Sequence, residues 1–164
     1  FTITWRDECC WLRMIDWRFL TVDDIEWVTK VGRRMFADSE WKEGEYDAKK
    51  IKKYLHHVAS HPLYMCGLIG LKDDEKAGFL IGQIGEYRFM NKLLARENEL
   101  CILPEYRGSM VAITLMKKFM EWAKTMKADE VLFEPSTNGD INKFDAMAKR
   151  LGMEVTSKTY RKKL

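Results

Sequence analysis

Proline is scarce in this sequence, with three in 164 residues, and glycine reaches only ten. That excludes a collagen-like repeat, a proline-rich spacer and a low-complexity disordered chain. Cysteine is limited to Cys9, Cys10, Cys66 and Cys101, with neither the spacing of a metal site nor the density of a disulfide scaffold. No stretch approaches the ~18 consecutive apolar residues that a membrane helix needs. An excess of one charge is also missing. Twenty-eight basic and 25 acidic residues leave a net charge of +3, too small to argue for a nucleic-acid partner by itself. What is present is 46 % hydrophobic and 32 % charged residues, a balance that supports a real core. One domain over residues 1–164 is expected, and the thiols and ten methionines suggest a reducing, cytoplasmic setting.

Periodicity gives an element order. Arg13 to Phe19 reads as a strand. Thr21 with Asp24 forms a capping-box pattern ahead of Ile25, Val28 and Val31, which predicts a helix ending near Ala37. Asp38 to Glu45 reads as a loop. A second helix opens at Asp47, carries Ile51, Tyr54, Leu55 and Val58 on one face, and cannot pass Pro62. The apolar runs Leu63–Leu71 and Ala77–Phe89 flank the polar residues 72–76 and read as a hairpin. A third strand is expected over Asn98–Leu103, then a long helix from Ser109 to Met126 and a short strand at Val131–Phe133. A helix through Ile141, Phe144, Met147 and Leu151 should end at Gly152, with an extended segment over Met153–Leu164. The expected fold is α/β, with a mixed, mostly antiparallel sheet carrying helices on both faces.

Chemistry concentrates in Glu99 to Ala123. There a buried strand ends at Leu103, a short polar turn follows, and a helix begins near Ser109. A helix start presents unsatisfied N–H groups and the positive end of the dipole, which suits a phosphate. Arg107 adds a charged donor and Gly108 allows close backbone approach. The spacing is neither GxxxxGK[ST] nor GxGxxG, so a P-loop and a dinucleotide fingerprint are both excluded.

Leu100-Cys101-Ile102-Leu103-Pro104-Glu105-Tyr106-Arg107-Gly108-Ser109 resembles the core of the GNAT superfamily of N-acetyltransferases, in the style of small bacterial or phage-type members. Those proteins have a strand, a Pro-x-Tyr/Phe step, and a Q/R-x-x-G-x-G/A loop opening a long helix. Here that loop is Arg107-Gly108-Ser109-Met110-Val111-Ala112, and Leu151-Gly152-Met153 is similar to the family's "LGF". The resemblance implies a GNAT-like fold that moves an acetyl group from acetyl-CoA to a primary amine by direct attack in a ternary complex. The acceptor would be a small-molecule or protein amine. By position, the backbone of Leu100, Cys101 and Ile102 would pair with the pantetheine arm. The N–H groups of Arg107, Gly108, Ser109, Met110, Val111 and Ala112 would cradle the pyrophosphate. Asn142, or else Asn138, would touch the cofactor, although helix capping explains either. Glu97 and Glu99 are the candidate general bases, expected on the same strand face as Cys101, with Glu134 as a third candidate. Two positions depart from the family pattern. Met110 replaces a glycine, and Ala148 stands where a tyrosine commonly protonates the thiolate. They define an alternative, a catalytically impaired protein of this fold that binds coenzyme A or a partner.

His57 and His61 stand four apart but lack the glutamate of HExxH and an evident third ligand, so no metal site is expected. Lys49, Lys50, Lys52 and Lys53, with Lys158, Arg161, Lys162 and Lys163, form basic clusters. They leave nucleic-acid binding as a remote alternative with no recognised module behind it. Trp5, Trp11, Trp17, Trp27 and Trp41 crowd the first quarter, where core packing is the expected role. A substrate cleft and a homodimer contact are the other options.

Overall fold

The computed structural model describes residues 14–39, 41–134, 140–157 and 162. The chain divides into two compact units, one running through Glu134 and one formed by the residues after it. In the first unit β1 (Ile15–Phe19) leads through a single 3-10 turn into α1 (Ile25–Ala37). Asp24 is the knot of this entry. Its buried carboxylate accepts from the Thr21 amide at 2.9 Å, from Arg18 at 2.6 and 2.8 Å and from Lys76 at 2.6 Å. Burial alone would raise its pKa, but these donors outweigh it and hold the carboxyl well below the usual carboxylate range. Arg13, expected to start the strand, lies outside the described residues.

Asp47 caps α2 (Ala48–Ser60) by accepting from the Lys50 amide at 2.9 Å, as its position before the periodic run requires. The hairpin pairs β2 (Met65–Lys72) with β3 (Glu75–Glu86). Its turn is tighter than the five polar residues suggest. Asp73 and Asp74 alone occupy it, at φ 53° and 66°. Aspartate tolerates this left-handed region because its short side chain bonds locally, and the mirror-image turn matches strand twist.

The third strand of the sheet's centre, β4, runs from Leu93 to Ile102, so the expected start at Asn98 is corrected by five residues. Arg96 and Glu97 hid it, because interleaved charges break the apolar alternation that marks a strand. α3 (Val111–Thr125) and β5 (Glu130–Leu132) complete the unit. The strand order is β1-β2-β3-β4-β5, antiparallel except for the parallel β4–β5 pair.

Two apolar layers cover the sheet. On one face α1 and α2 bring Val28, Val31, Leu55 and Val58 against Met65, Ile69, Phe79, Ile81 and Cys101. On the other, α3 brings Leu115, Phe119 and Trp122 against Cys66, Leu68, Leu80 and Ala95. Helices on both faces of a mixed sheet are therefore observed. Trp17 packs against the α3 layer and Trp27 against the α1–α2 layer, whereas Trp41 is exposed. Trp5 and Trp11 lie outside the described residues. Among the described residues no helix is long and apolar enough to cross a membrane.

The second unit contains α4 (Ile141–Arg150), capped by the Asp140 carboxylate, which accepts from the amides of Asn142 and Lys143. Gly152 closes it at φ 74°. The extended segment expected after Gly152 forms no strand over Met153–Ser157, and most of the residues beyond lie outside the described part.

Candidate active site

The site grows from an irregularity in β4. Gly82 of β3 faces Glu97 and Ile81 faces Glu99, so Asn98 is an extra residue with no partner across the pair, a β-bulge. Ahead of it β4 pairs with β5, from Leu94 opposite Glu130 to Arg96 opposite Leu132. Beyond it β5 has ended, and among the described residues Glu99–Ile102 is paired only with β3. The sheet forks there.

Strand geometry decides which groups line the fork. Leu103 N–H donates to Ala77 O of β3 at 2.9 Å. Backbone polar groups alternate sides along a strand, so those of Cys101 also face β3 while those of Leu100 and Ile102 face the open edge. Of the three backbones expected to pair with a ligand, only those of Leu100 and Ile102 face the open edge, and the Ile102 carbonyl there accepts from Arg107 Nε. Cys101 instead sends its side chain into the core, where burial pushes its thiol up to about 12. The bulge also corrects the expectation that Glu97 and Glu99 share a face. Glu97 lies with Gly82, on the side of Phe119, and Glu99 lies with Ile81 and Cys101, on the side of α1 and α2.

The two carboxyls differ accordingly. Glu97 is 5 % exposed and accepts from the backbone N–H of Glu134 at 3.2 Å, tying β4 to the segment after β5. Desolvation pushes it up to about 7, against the Glu134 hydrogen bond and with help from the charges of Glu99 and Glu134. Glu99 reaches solvent, yet its carboxyl is also pushed up to about 7, mainly by desolvation, while Tyr54 pulls it down. Tyr54 of α2 stands with its hydroxyl 3.4 Å from Glu99 Oε2 and accepts from Asn98 Nδ2 at 2.9 Å. Burial and the Glu99 charge push Tyr54 itself up to about 12, so it stays protonated. Glu134 is exposed and bound to Arg96 at 3.0 Å. Sequence reasoning placed Tyr54 on an apolar helix face and did not single out Asn98. The available signal was a phenol, the one polar tip in that stripe.

From the end of β4 the chain makes a 3-10 turn over Pro104–Tyr106 and enters the loop before α3. Arg107 folds back, its Nε donating to Ile102 O at 3.3 Å. Gly108 adopts φ 80°, with open space where a Cβ would be. Met110 sits at φ −76°, an ordinary right-handed value, with its side chain 54 % exposed. The backbone strain that would make glycine necessary at position 110 is absent. Arg107 N–H and Ser109 N–H are taken by Pro104 O and Tyr106 O, and Val111 N–H reaches Ser109 Oγ at 3.5 Å. Gly108, Met110, Ala112 and Ile113 have N–H groups with no acceptor among the described residues. The free donors thus form a smaller set than the whole loop, gathered at the positive end of the α3 dipole, where an anion is favoured.

His57 and His61 have ring centroids 4.0 Å apart, but among the described residues no three His, Cys, Asp or Glu side chains gather as a metal site. Asn142 lies in α4 and donates its backbone N–H to the Asp140 cap, and Asn138 lies outside the described residues.

A sheet forked between two parallel strands is thus followed by a helix start with free N–H groups, an arrangement that can hold an extended chain along the open edge and an anion at its end. The comparisons give the family. The model of the acetyltransferase (GNAT) family matches residues 19–152, and the chain belongs to that family, whose members are N-acetyltransferases. No curated protein matches the sequence significantly. Among solved structures, the aminoglycoside acetyltransferase AAC(6')-Iy in complex with a bisubstrate analogue is similar at TM-score 0.71 and 16 % identity. The match covers 92 % of this chain and 99 % of that one. Glucosamine-6-phosphate N-acetyltransferase from Arabidopsis thaliana aligns at TM-score 0.69 and 12 % identity, over 92 % and 98 % of the two chains. A predicted acetyltransferase from Clostridium acetobutylicum, crystallised with acetyl-CoA, aligns at 0.70 and 15 %, over 92 % and 96 %. At such identities these likenesses establish the fold.

Proposed function

We propose that the chain transfers an acetyl group from acetyl-CoA to a primary amine of a small molecule, by direct attack within a ternary complex. One observation carries this reading. The open backbone edge at Leu100 and Ile102 leads directly into a helix start whose N–H groups at Gly108, Met110, Ala112 and Ile113 lack acceptors. A pantetheine arm is an extended chain with amide groups, and it would complete the edge as an added strand. The pyrophosphate at its other end would then meet the free N–H groups. Bound there, acetyl-CoA supplies the activated acyl group.

The chain's own residues do the rest. A backbone N–H at the open edge, near Ile102, would polarise the thioester carbonyl. An amine of pKa near ~10.4 must lose a proton before it attacks. Glu99 suits this task better than Glu97, because it reaches solvent and its carboxyl is held near neutrality, where a base works best. Glu97 is buried and engaged with the Glu134 backbone, and Glu134 is paired with Arg96. The family match, running from the first unit into the second, supports treating residues 1–164 as one working domain. A cytoplasmic setting supplies both the coenzyme and reduced thiols. Ala148, in place of the usual tyrosine acid, supports slow turnover and keeps a coenzyme-binding role without catalysis as the second reading.

Calorimetric titration with acetyl-CoA and with coenzyme A tests the reading, followed by a panel of aminoglycosides, amino sugars and polyamines. Saturable binding with release of free thiol is expected. Absence of binding at millimolar coenzyme would overturn the proposal, and binding without turnover would select the second reading.

A further inference from the structure

We propose that Tyr54 is the positioning residue for Glu99, holding that carboxylate at the fork through its hydroxyl, which Asn98 fixes in turn. The inference rests on Glu99 being the base. Its geometry spans two elements that the sequence separates by more than forty residues. Tyr54 comes from the middle of α2, while Asn98 and Glu99 come from the bulge itself. The bulge makes the arrangement available, because the extra residue turns Asn98 toward the tyrosine without removing Glu99 from the α2 side of the sheet. Asn98 Nδ2 donates to Tyr54 Oη at 2.9 Å, which leaves the hydroxyl proton free to point at Glu99 Oε2, 3.4 Å away. Catalytic hydrogen bonds commonly stand long in the free enzyme and tighten in the ternary complex.

The direction of the proton is fixed as well. A phenol pushed up to about 12 does not ionise in the working range, so toward Glu99 Tyr54 acts as a donor and favours the ionised, basic form of that carboxyl. The other titratable groups that feel the Glu99 charge are Tyr46, ahead of α2, Cys101 on the same face of β4, and Glu97 on the opposite face. Arg33 of α1 lies over the Tyr46 ring at 5.5 Å, and Arg107 faces Cys101. None of these is hydrogen-bonded to the Glu99 carboxylate among the described residues. Tyr54 is its one such partner.

The test uses the full chain with side-chain 13C-labelled glutamate. Glu99→Gln assigns the Glu99 carboxyl carbon, and its titration is then followed in the wild type and in Tyr54→Phe. In parallel, the pH dependence of kcat/KM is measured for the amine that the panel selects. Tyr54→Phe should raise the Glu99 titration midpoint by about half a unit or more, and the acid limb of the rate profile should move with it. KM for acetyl-CoA should stay within about twofold, and Tyr54→Phe should add no further loss in a Glu99→Gln background. An unmoved midpoint in a folded Tyr54→Phe variant overturns the proposal. An acid limb that survives Glu99→Gln overturns the assignment of the base itself, a separate failure. The carboxyl titration is read without turnover, so it decides the positioning role even if the chain binds coenzyme A without catalysis.

Discussion

Glu97 and Glu99 both keep their protons to about 7 in the fold, whereas an unperturbed glutamate releases its proton near 4.5. Folding therefore favours the neutral carboxyl. The contribution is intact below the unfolded pKa and is lost as pH rises from about 4.5 to about 7, after which it stays flat. Glu97→Gln fixes the neutral form and keeps an oxygen for the Glu134 amide. It should melt with the wild type at pH 5 and be more stable at pH 8, by up to about 3 kcal/mol, in denaturant titrations at the two values. Gly108 offers the opposite kind of test. A Cβ there meets nothing, but φ 80° is costly for alanine. Gly108→Ala should destabilise by about 1–2 kcal/mol and weaken coenzyme binding with it. Met110→Gly should leave coenzyme affinity within about threefold, because Met110 already has an ordinary φ and glycine only adds freedom to the unfolded loop. Calorimetry on the two variants separates these expectations. The candidate residues were legible in part because strand, turn and helix start follow one another in sequence. Tyr54 was not, since nothing local to α2 reports that its hydroxyl meets the bulge of a strand more than forty residues further on.

The elements were legible where apolar periodicity is clean. α1, α2 and α3 stand within a few residues of their expected bounds, and the Thr21–Asp24 box on the turn leading into α1 and the Asp47 cap of α2 follow from side-chain chemistry. β4 was the exception, because the charges of Arg96 and Glu97 interrupt the apolar pattern of its first half, whereas its forked half fell within the expected strand. The Asp24 knot joins three elements through Arg18 of β1, Lys76 of β3 and the entry to α1. Asp24→Asn should cost about 1–3 kcal/mol at neutral pH, less than the roughly 3–5 kcal/mol of a broken buried pair, because both cations can rehydrate. Its stabilisation is present above the ordinary carboxylate range and is lost only in strong acid, so wild type and variant should converge there. The β3–α3 contact is tighter still. A Cβ at Gly82 would overlap the Phe119 ring. Gly82→Ala should lower stability by about 1–3 kcal/mol through overpacking, measurable by thermal melting.

Across the whole molecule, the near-neutral balance of 28 basic and 25 acidic residues carries little information about partners. Local arrangement does. The anion-ready donors and the two carboxyls held near neutrality belong to one strand and the turn that follows it. Coenzyme A should therefore stabilise the chain as a linked ligand, by about 2.7 kcal/mol at a hundredfold excess over its dissociation constant, seen as a rise in melting temperature. Fold class was the most legible property, because it depends on the order of elements and not on their exact ends. The acceptor was the least, because no motif in the sequence encodes it and one fold serves many substrates.

The unpaired residue at Asn98 has one further meaning. A strand is read in a frame of two, and an inserted residue shifts that frame for everything downstream. Were β4 paired with β3 without the bulge, Asn98 would stand opposite Ile81 and Glu99 opposite Leu80, turning Leu100 and Ile102 toward α1 and α2 and carrying Glu99 across to the α3 side. The chain would keep every candidate side chain and still lose the candidate base from the α2 side. In this protein a single inserted position, more than any one functional group, sets which half of the strand is scaffold and which half is instrument.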